Sequence, residues 1–201
     1  MNKKLLIYTV FFGVLLAAFY VVLMKTTDFA KVKLPVLNNV LPFSFTRHDG
    51  KTINEKEVTG KVYVAEYFFT TCKGVCPKMN RNMKKIYDEF KVQKDFLIVS
   101  HTVDPQTDSA AQLKRYADSL GANTEHWWFL TGTKEGLYKS ARESYLLDDP
   151  QNNSLNIEEQ FLHTQFFALV DRQGRVRGIY DGLKEDEIQK LRRDINRVLE
   201  E

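Results

Sequence analysis

Both cysteines of the 201-residue chain lie in one short segment, TTCKGVC, residues 70–76. Cys72 and Cys76 are four positions apart where an apolar stretch changes to a helical pattern, so both sulfurs can share one side of a helix start. Their Cα atoms would then be about 6 Å apart, which suits a disulfide. Backbone N–H groups at a helix start also favour thiolates, which bind soft metals and attack disulfides. The pair is therefore a structural disulfide, a redox-active dithiol or a pair of metal ligands.

A structural disulfide is the least favoured of these three interpretations. Closing a loop of so few residues removes little conformational entropy from the unfolded chain, so the bridge would stabilise the fold weakly. Loops that follow central strands also carry functional residues more often than crosslinks. Redox chemistry and metal binding remain as the two stronger hypotheses.

A metal site requires a third ligand, because two thiolates are an incomplete set for most metals. Four histidines are available: His48 in a predicted exposed turn, His101 in or just after a strand, His126 before a Trp-Trp pair, and His163 three residues before a strand that begins at Phe166. Taken singly, each is more typical of a surface or hydrogen-bonded histidine. The choice among them depends on the fold.

The elements that must position these residues alternate between strands and helices. An N-terminal hairpin is predicted over residues 43–53, and strands over 61–69, 96–103 and 127–132. Helical patterns follow each of these three strands, the second from about Ser109 with Gln112 placed for a capping box. A tight turn joins the strands of a final hairpin over 166–182, and a helix with an acidic first turn ends the chain.

This order, a hairpin, βαβαβα and then ββα, predicts an α/β fold of the thioredoxin-like type. The dithiol lies in the first turn from strand to helix after the leading hairpin, where such sheets place their sites. In this topology the segment that enters the late hairpin faces the dithiol, and His163 is the histidine on that segment. Met79 and Met83 also offer soft sulfur, but their spacing with Ile86 predicts a core stripe.

The N-terminus predicts a membrane anchor. Residues 5–24 contain no charge and no proline and reach about 30 Å as a helix, enough to cross a bilayer. Ala17 and Ala18 followed by Phe19 make a poor cleavage site for the alternative, a signal peptide. We therefore expect a short cytoplasmic tail (1–4), a single transmembrane helix (5–24), a tether (25–41) and an extracytoplasmic domain (42–201). The start MNKKLL is typical of bacterial export, which indicates the cytoplasmic (inner) membrane.

The formal net charge is +3, and basic and acidic residues are interleaved along the chain. No basic patch alternates with stacking aromatic residues, so we expect no nucleic-acid partner.

Four ordered motifs resemble those of the Sco/SenC family: CxxxCP after the first strand, VDP after the next, FLTG in the third, and a late histidine before a hairpin that ends in YDG. The resemblance covers residues from about 42 to 200. It implies a membrane-anchored copper chaperone with a thioredoxin-like fold that assists assembly of the copper centre of cytochrome c oxidase. The implied partners are the copper-bearing oxidase subunit and other copper or thiol-redox proteins.

The resemblance implies that Cys72, Cys76 and His163 are the copper ligands. Two soft thiolates and an imidazole suit Cu(I) and can also hold Cu(II), although zinc could occupy a similar site. The sequence departs from the family at Lys73, where many members have proline, and at Leu162, where many have aspartate. Loss of that carboxylate affects how the histidine is positioned. Asp104 of VDP either hydrogen-bonds to a ligand or only begins a turn.

Two functions follow from these residues. The first is a copper chaperone without catalytic residues; the second is a dedicated thiol–disulfide reductase that keeps the cysteines of an oxidase subunit reduced, with Cys72 and Cys76 as its redox-active pair. A general oxidoreductase is disfavoured, because such enzymes have CxxC and a late proline, whereas no proline follows Pro150. A peroxide-reducing enzyme requires a cation beside the thiolate, for which only Lys73 is available, and a redox sensor has equally little support.

Overall fold

The structure, a computed structural model, describes residues 2–26, 33–154, 156–157 and 160–201. The chain divides into two compact units, Met1–Lys33 and Leu34–Glu201. The first contains helix α1 (Lys3–Thr26). Its segment Lys3–Val22 has a mean hydropathy of 2.5 and can cross a membrane by length and composition, a test that a signal sequence also meets.

Within the described residues, the second unit contains one mixed sheet of eight strands. In chain order these are β1 (Asn38–Asn39), β2 (Ser44–Arg47), β3 (Thr52–Asn54), β4 (Val62–Phe68), β5 (Phe96–Thr102), β6 (Trp127–Thr131), β7 (Phe166–Val170) and β8 (Arg175–Asp181). Across the sheet their order is β1-β8-β7-β4-β5-β6-β2-β3. Strands β4, β5 and β6 run parallel, and β7 pairs antiparallel with β4.

In the part of the chain that the structure describes, five α-helices accompany this sheet: α2 (Glu55–Val58), α3 (Cys76–Phe90), α4 (Ala110–Ser119), α5 (Lys134–Lys139) and α6 (Glu185–Leu199). Helices α3, α4 and α6 contribute to the apolar core on one face of the sheet. Helices α2 and α5 contribute to the core on the other face. This arrangement confirms the predicted thioredoxin-like α/β fold.

Strand β4 lies at the centre because both of its faces are apolar. All seven of its residues are buried. Val62, Val64 and Phe68 belong to one core, whereas Tyr63 and Tyr67 belong to the other. Such a strand cannot lie at an edge, because it would expose one of two apolar faces to water. Its parallel pairing with β5 from Val62↔Phe96 to Phe68↔Thr102 brings the loops after both strands to the same end of the sheet.

Helix α3 is fixed on the sheet by one apolar stripe. Met79, Met83 and Ile86 are completely buried, and Phe90 is 2 % exposed. Burying side chains of this size is worth about 1.5–3 kcal/mol each relative to exposure. The prediction that both methionines belong to the core is confirmed.

The globular unit begins at Leu34, before the predicted boundary at residue 42. The N–H of Leu37 donates to the carbonyl of Val176 at 2.8 Å, and β1 then pairs with β8. Arg177, which is buried, donates to the carbonyl of Leu34 at 2.6 Å. Pro35 discourages a helix here, as predicted, but it is compatible with an extended edge segment. Of the predicted tether, residues 27–32 lie outside the described residues.

Two further elements differ from the sequence prediction. The hairpin leads into α2, whose four residues are too few to give a periodic pattern, although Asn54 and Glu57 form a capping box at its start. The helix predicted after the third strand ends early, because α5 passes at Ser140 into one π-helical turn, Ser140–Ser144. That turn packs Ala141 into the core on the α5 side of the sheet.

Candidate metal centre

The dithiol lies at the end of the sheet where β4, β5 and β6 finish. Cys76 is the first residue of α3 and Pro77 follows it in the first turn, where a missing N–H costs nothing. Val75, at the N-cap, offers no side-chain hydrogen bond, and the first turn carries no acidic residue. Interactions with the backbone N–H groups of Gly74, Val75 and Cys76 act instead to lower the pKa of Cys72.

The two thiols are not bridged and differ in character. Cys72 is half-buried; partial burial acts to raise its pKa, but hydrogen bonds from the Cys76 thiol and the backbone lower it below its usual value. Cys76 is 4 % exposed, and burial together with its bond to Cys72 raises its pKa to about 12. The arrangement therefore provides one reachable thiol with a lowered pKa and one buried thiol beside it.

The loop before Cys72 is held by the completely buried carboxylate of Asp108. Thr70 donates to it twice, from its N–H at 3.1 Å and from its hydroxyl. The hydroxyl of Thr102, at the end of β5, donates to the same carboxylate at 2.6 Å. Asp108 thus joins the loops that follow β4 and β5.

Asp104, the aspartate singled out in the sequence, has a different role. Its carbonyl accepts the N–H of Asp108 at 2.8 Å, and its carboxylate lies 3.3 Å from the N–H of Thr107. The sequence left two interpretations of Asp104, a hydrogen bond to a metal ligand or the start of a turn. These contacts match the start of a turn. Gln112 also departs from prediction: Ser109 caps α4, but the Gln112 side chain lies 3.4 Å from the Thr70 hydroxyl instead of completing a capping box.

A carboxyl that the sequence analysis did not select, Glu66, is buried in the centre of β4 on the core face shared with Cys76. The hydroxyl of Ser100 donates to its Oε1 at 2.6 Å, and the indole N–H of Trp127 donates to Ser100 at 2.8 Å. Its Oε2 has no protein partner among the described residues. Burial raises the pKa of Glu66 to about 7, although the Ser100 hydrogen bond acts to lower it.

Three of the four histidines are held by other contacts. His48 is buried, and its Nδ1 accepts the N–H of Phe129 in β6 at 3.2 Å. The prediction that His48 lies in an exposed turn is therefore wrong. His101 is completely buried and stacks on Tyr67 at 4.8 Å, and burial lowers its pKa to about 3. His126 is half-buried, with Nδ1 3.3 Å from the carbonyl of Phe96.

His163 is exposed and precedes β7. Its ring lies 4.8 Å from that of Phe161, which packs edge-on against Phe69 at 5.2 Å, three residues before Cys72. Two aromatic rings therefore link the His163 segment to the dithiol loop. Among the described residues, no three His, Cys, Asp or Glu side chains are close enough together to hold a metal ion. The structure pairs the thiols and leaves His163 outside that pair.

The hairpin that ends in YDG fixes the backbone after His163. The N–H of Gly182 donates to the carbonyl of Gln165 at 2.7 Å, and the Gln165 side chain donates to Asp181 at 2.8 Å. A Cβ on Gly182 would lie 2.8 Å from that carbonyl and 2.7 Å from the ring of Phe167, so only glycine fits.

Comparison with known proteins identifies this combination of fold and dithiol loop. The sequence profile of the SCO1/SenC family matches residues 35–200. The chain belongs to the SCO1/SenC family. It is 31% identical over 158 residues to the SCO1 protein homolog of Bacillus subtilis, which covers 77% of this chain and 79% of that protein.

Two solved Sco structures are similar along most of their length. A SCO1/SenC family lipoprotein from Bacillus anthracis superposes with a TM-score of 0.71 at 32% identity, covering 83% of this chain and 99% of that one. BsSco, described as a cytochrome c oxidase assembly protein with a disulfide switch, gives a TM-score of 0.70 at 28% identity over 85% and 98% of the two chains.

Leu162, which directly precedes His163, is a core residue. Leu162 is 4 % exposed and belongs to the core that α5 covers. Its N–H also donates to the hydroxyl of Tyr138 at 3.2 Å. A carboxylate at this position would be buried in apolar surroundings and would lose its hydration.

Alkylation should separate the two thiols. In the reduced, metal-free protein at about pH 7.5, we expect iodoacetamide to modify Cys72 about a hundredfold faster than Cys76, because thiolate is the reactive form and Cys76 is both buried and protonated. Quantitative peptide mass spectrometry measures both rates. In guanidinium the two rates should converge, and in C76A, which has no side-chain donor, the Cys72 rate should fall because the Cys72 thiolate loses the hydrogen bond from residue 76. Equal rates in the native protein would contradict this assignment.

Replacing Glu66 by glutamine should change how stability depends on pH. The pKa of Glu66 is higher in the folded protein than in the unfolded chain. Its contribution to the unfolding free energy is therefore fully present below the unfolded pKa and is lost as pH rises through about 7. The neutral amide cannot lose a proton, so the unfolding free energy of E66Q relative to the unsubstituted protein should rise between about pH 4 and pH 8, by up to about 3 kcal/mol. Urea unfolding of the reduced, metal-free protein measures this; the exposed-site variant E125Q should show no such trend, and a difference independent of pH would refute the account.

Proposed function

We propose that this protein is a membrane-anchored, extracytoplasmic copper chaperone that assists assembly of the copper centre of cytochrome c oxidase. The observation that carries the proposal is the pair of unbridged, neighbouring thiols, one of them with a lowered pKa, in the dithiol loop of a Sco fold. Two thiolates are a preferred donor set for Cu(I). Sco structures from Arabidopsis thaliana, yeast and Bradyrhizobium japonicum have been solved with copper bound.

Copper is the cargo in this proposal, and Cys72, Cys76 and His163 bind it. Because the structure places His163 outside the thiol pair, binding one copper ion through all three residues requires the imidazole to move toward the sulfurs. The movement gives up a ring contact with Phe161, which costs about 0.5–1.5 kcal/mol. It needs no rearrangement of β7, since the backbone anchor at Gln165 lies two residues further on.

The membrane location rests on α1 and on family likeness. The helix has the length and hydropathy of a transmembrane span, and one similar Sco structure is that of a lipoprotein. A single-pass anchor in the cytoplasmic membrane with the globular unit outside places the dithiol in the compartment where oxidase copper centres are built.

A dedicated thiol–disulfide reductase is the second candidate, favoured by the unequal pKa values of the two thiols. The Cys72 thiolate would attack a disulfide of the partner, forming a mixed disulfide and releasing one partner thiolate. Cys76, after losing its proton, would then attack Cys72, releasing the second partner thiolate. The partner gains two electrons, one proton from Cys76 and a second proton from solvent, and a Cys72–Cys76 disulfide remains.

Copper titration of the reduced full chain in detergent tests the first candidate. We expect one Cu(I) per chain in competition with a chromophoric chelator, and a thiolate-to-Cu(II) absorption band. H163A should bind Cu(I) at least about tenfold more weakly and lose most of the band, since one ligand of three is removed. H126A is the matched control, because His126 bonds to Phe96 and should leave copper binding unchanged.

The outcomes separate the two functions. Equal copper affinity in H163A and H126A would remove His163 from the site. No retained copper, together with rapid reduction of a disulfide substrate that is lost in C72S, would favour the reductase.

A further inference from the structure

The dithiol is bordered on one side by cations. Lys73 lies between the two cysteines, Lys78 and Arg81 follow on the exposed side of α3, and Arg115 is exposed on α4. These four residues, here called the basic rim, have no carboxylate partner among the described residues. The cations nearer the far end of α3 differ, since Lys84 pairs with Asp88 and Lys85 with Glu185.

Hydrogen bonds place Arg115 close to the dithiol loop although it is 43 residues from Cys72 in the sequence. Its guanidinium donates to the side-chain oxygen of Gln112 at 2.6 Å. The amide nitrogen of Gln112 in turn lies 3.4 Å from the hydroxyl of Thr70. Lys78 and Arg81 are three positions apart on α3 and so are neighbours on its surface. The basic rim is therefore continuous with the surface through which Cys72 is reached.

We propose that the basic rim is a docking surface for an acidic protein, the acceptor that receives copper from the dithiol. The identity of this acceptor rests on the proposed function, whereas its charge follows from the rim. A partner that takes metal from Cys72 has to approach this surface. Four unpaired cations there attract an acidic surface and steer its approach, which can raise association rates by about 10- to 1,000-fold.

A protein partner is favoured over an anionic lipid surface because the basic rim borders the dithiol itself, with Lys73 between the two cysteines. In the proposed function the occupant of this surface takes copper from Cys72, which a protein acceptor with ligands of its own can do and a lipid headgroup cannot.

Association kinetics test the proposal with copper-free proteins. The full chain is placed in phosphatidylcholine nanodiscs, and the probe is the metal-free copper-binding domain of the cytochrome c oxidase subunit from the same organism. The association rate should fall as ionic strength rises from about 0.01 to about 0.15 M. At the lower value K78E/R81E should associate at least about tenfold more slowly and show little salt dependence. K51E/K94E, which changes two exposed lysines remote from the dithiol by the same net charge, should behave like the unsubstituted protein.

Any of four results would overturn the proposal that the basic rim docks the acceptor. Salt-independent association, or an unchanged rate in K78E/R81E, would show that the rim does not dock this domain. An equal loss in K51E/K94E would assign the effect to net charge. Phosphatidylglycerol nanodiscs that slow association for the unsubstituted protein but not for K78E/R81E would show that the rim binds lipid. No copper is present in this experiment, so its result is independent of the copper titration. A protein that docks through the basic rim but binds no copper would contradict the proposed chaperone function and leave the docking surface standing.

Discussion

The buried carboxylate of Asp108 holds together the two loops on which the site depends. Three hydrogen bonds from Thr70 and Thr102 converge on it in a position without access to water. Hydrogen bonds to a charged group contribute about 1.5–3 kcal/mol each, and an unpaired buried carboxylate would cost more than it contributes. These hydrogen bonds therefore favour one backbone conformation in the loop before Cys72. In that conformation α3 begins at Cys76, and the backbone N–H groups around its start act to lower the pKa of Cys72.

The differing environments of the two thiols suit metal transfer. Cys72 is reachable and supported by backbone donors, whereas Cys76 is enclosed by the core and stays protonated until a ligand or a partner draws its proton away. In the proposed copper site, capture requires only that the exposed His163 side chain move toward two sulfurs that are already neighbours. On release, His163 can return to its contact with Phe161. The basic rim adds a means of bringing the acceptor to the same surface.

The sequence predicts the fold because its strongest features are local. The apolar run at β4 and the stripe of α3 each follow from periodicity alone, and together with the position of the dithiol they predict the thioredoxin-like order. The contacts that the sequence could not predict join residues far apart. Asp108 reaches a threonine 38 residues away, and Arg177 holds a carbonyl 143 residues away. His48 is buried by a strand that follows it by about eighty residues. In the sequence, Glu66 is a single polar residue in an apolar run. That it lies on the same core face as Cys76 follows only from how helix α3 packs on the sheet.

The central claim is that Cys72, Cys76 and His163 together bind copper. X-ray absorption fine structure of the Cu(I)-loaded full chain measures this most directly, because it counts the sulfur and nitrogen neighbours of the metal. The account predicts two sulfurs and one nitrogen per copper, and two sulfurs without the histidine nitrogen in H163A. Identical copper environments in the two proteins, or a copper surrounded by sulfur alone in the unsubstituted chain, would contradict it.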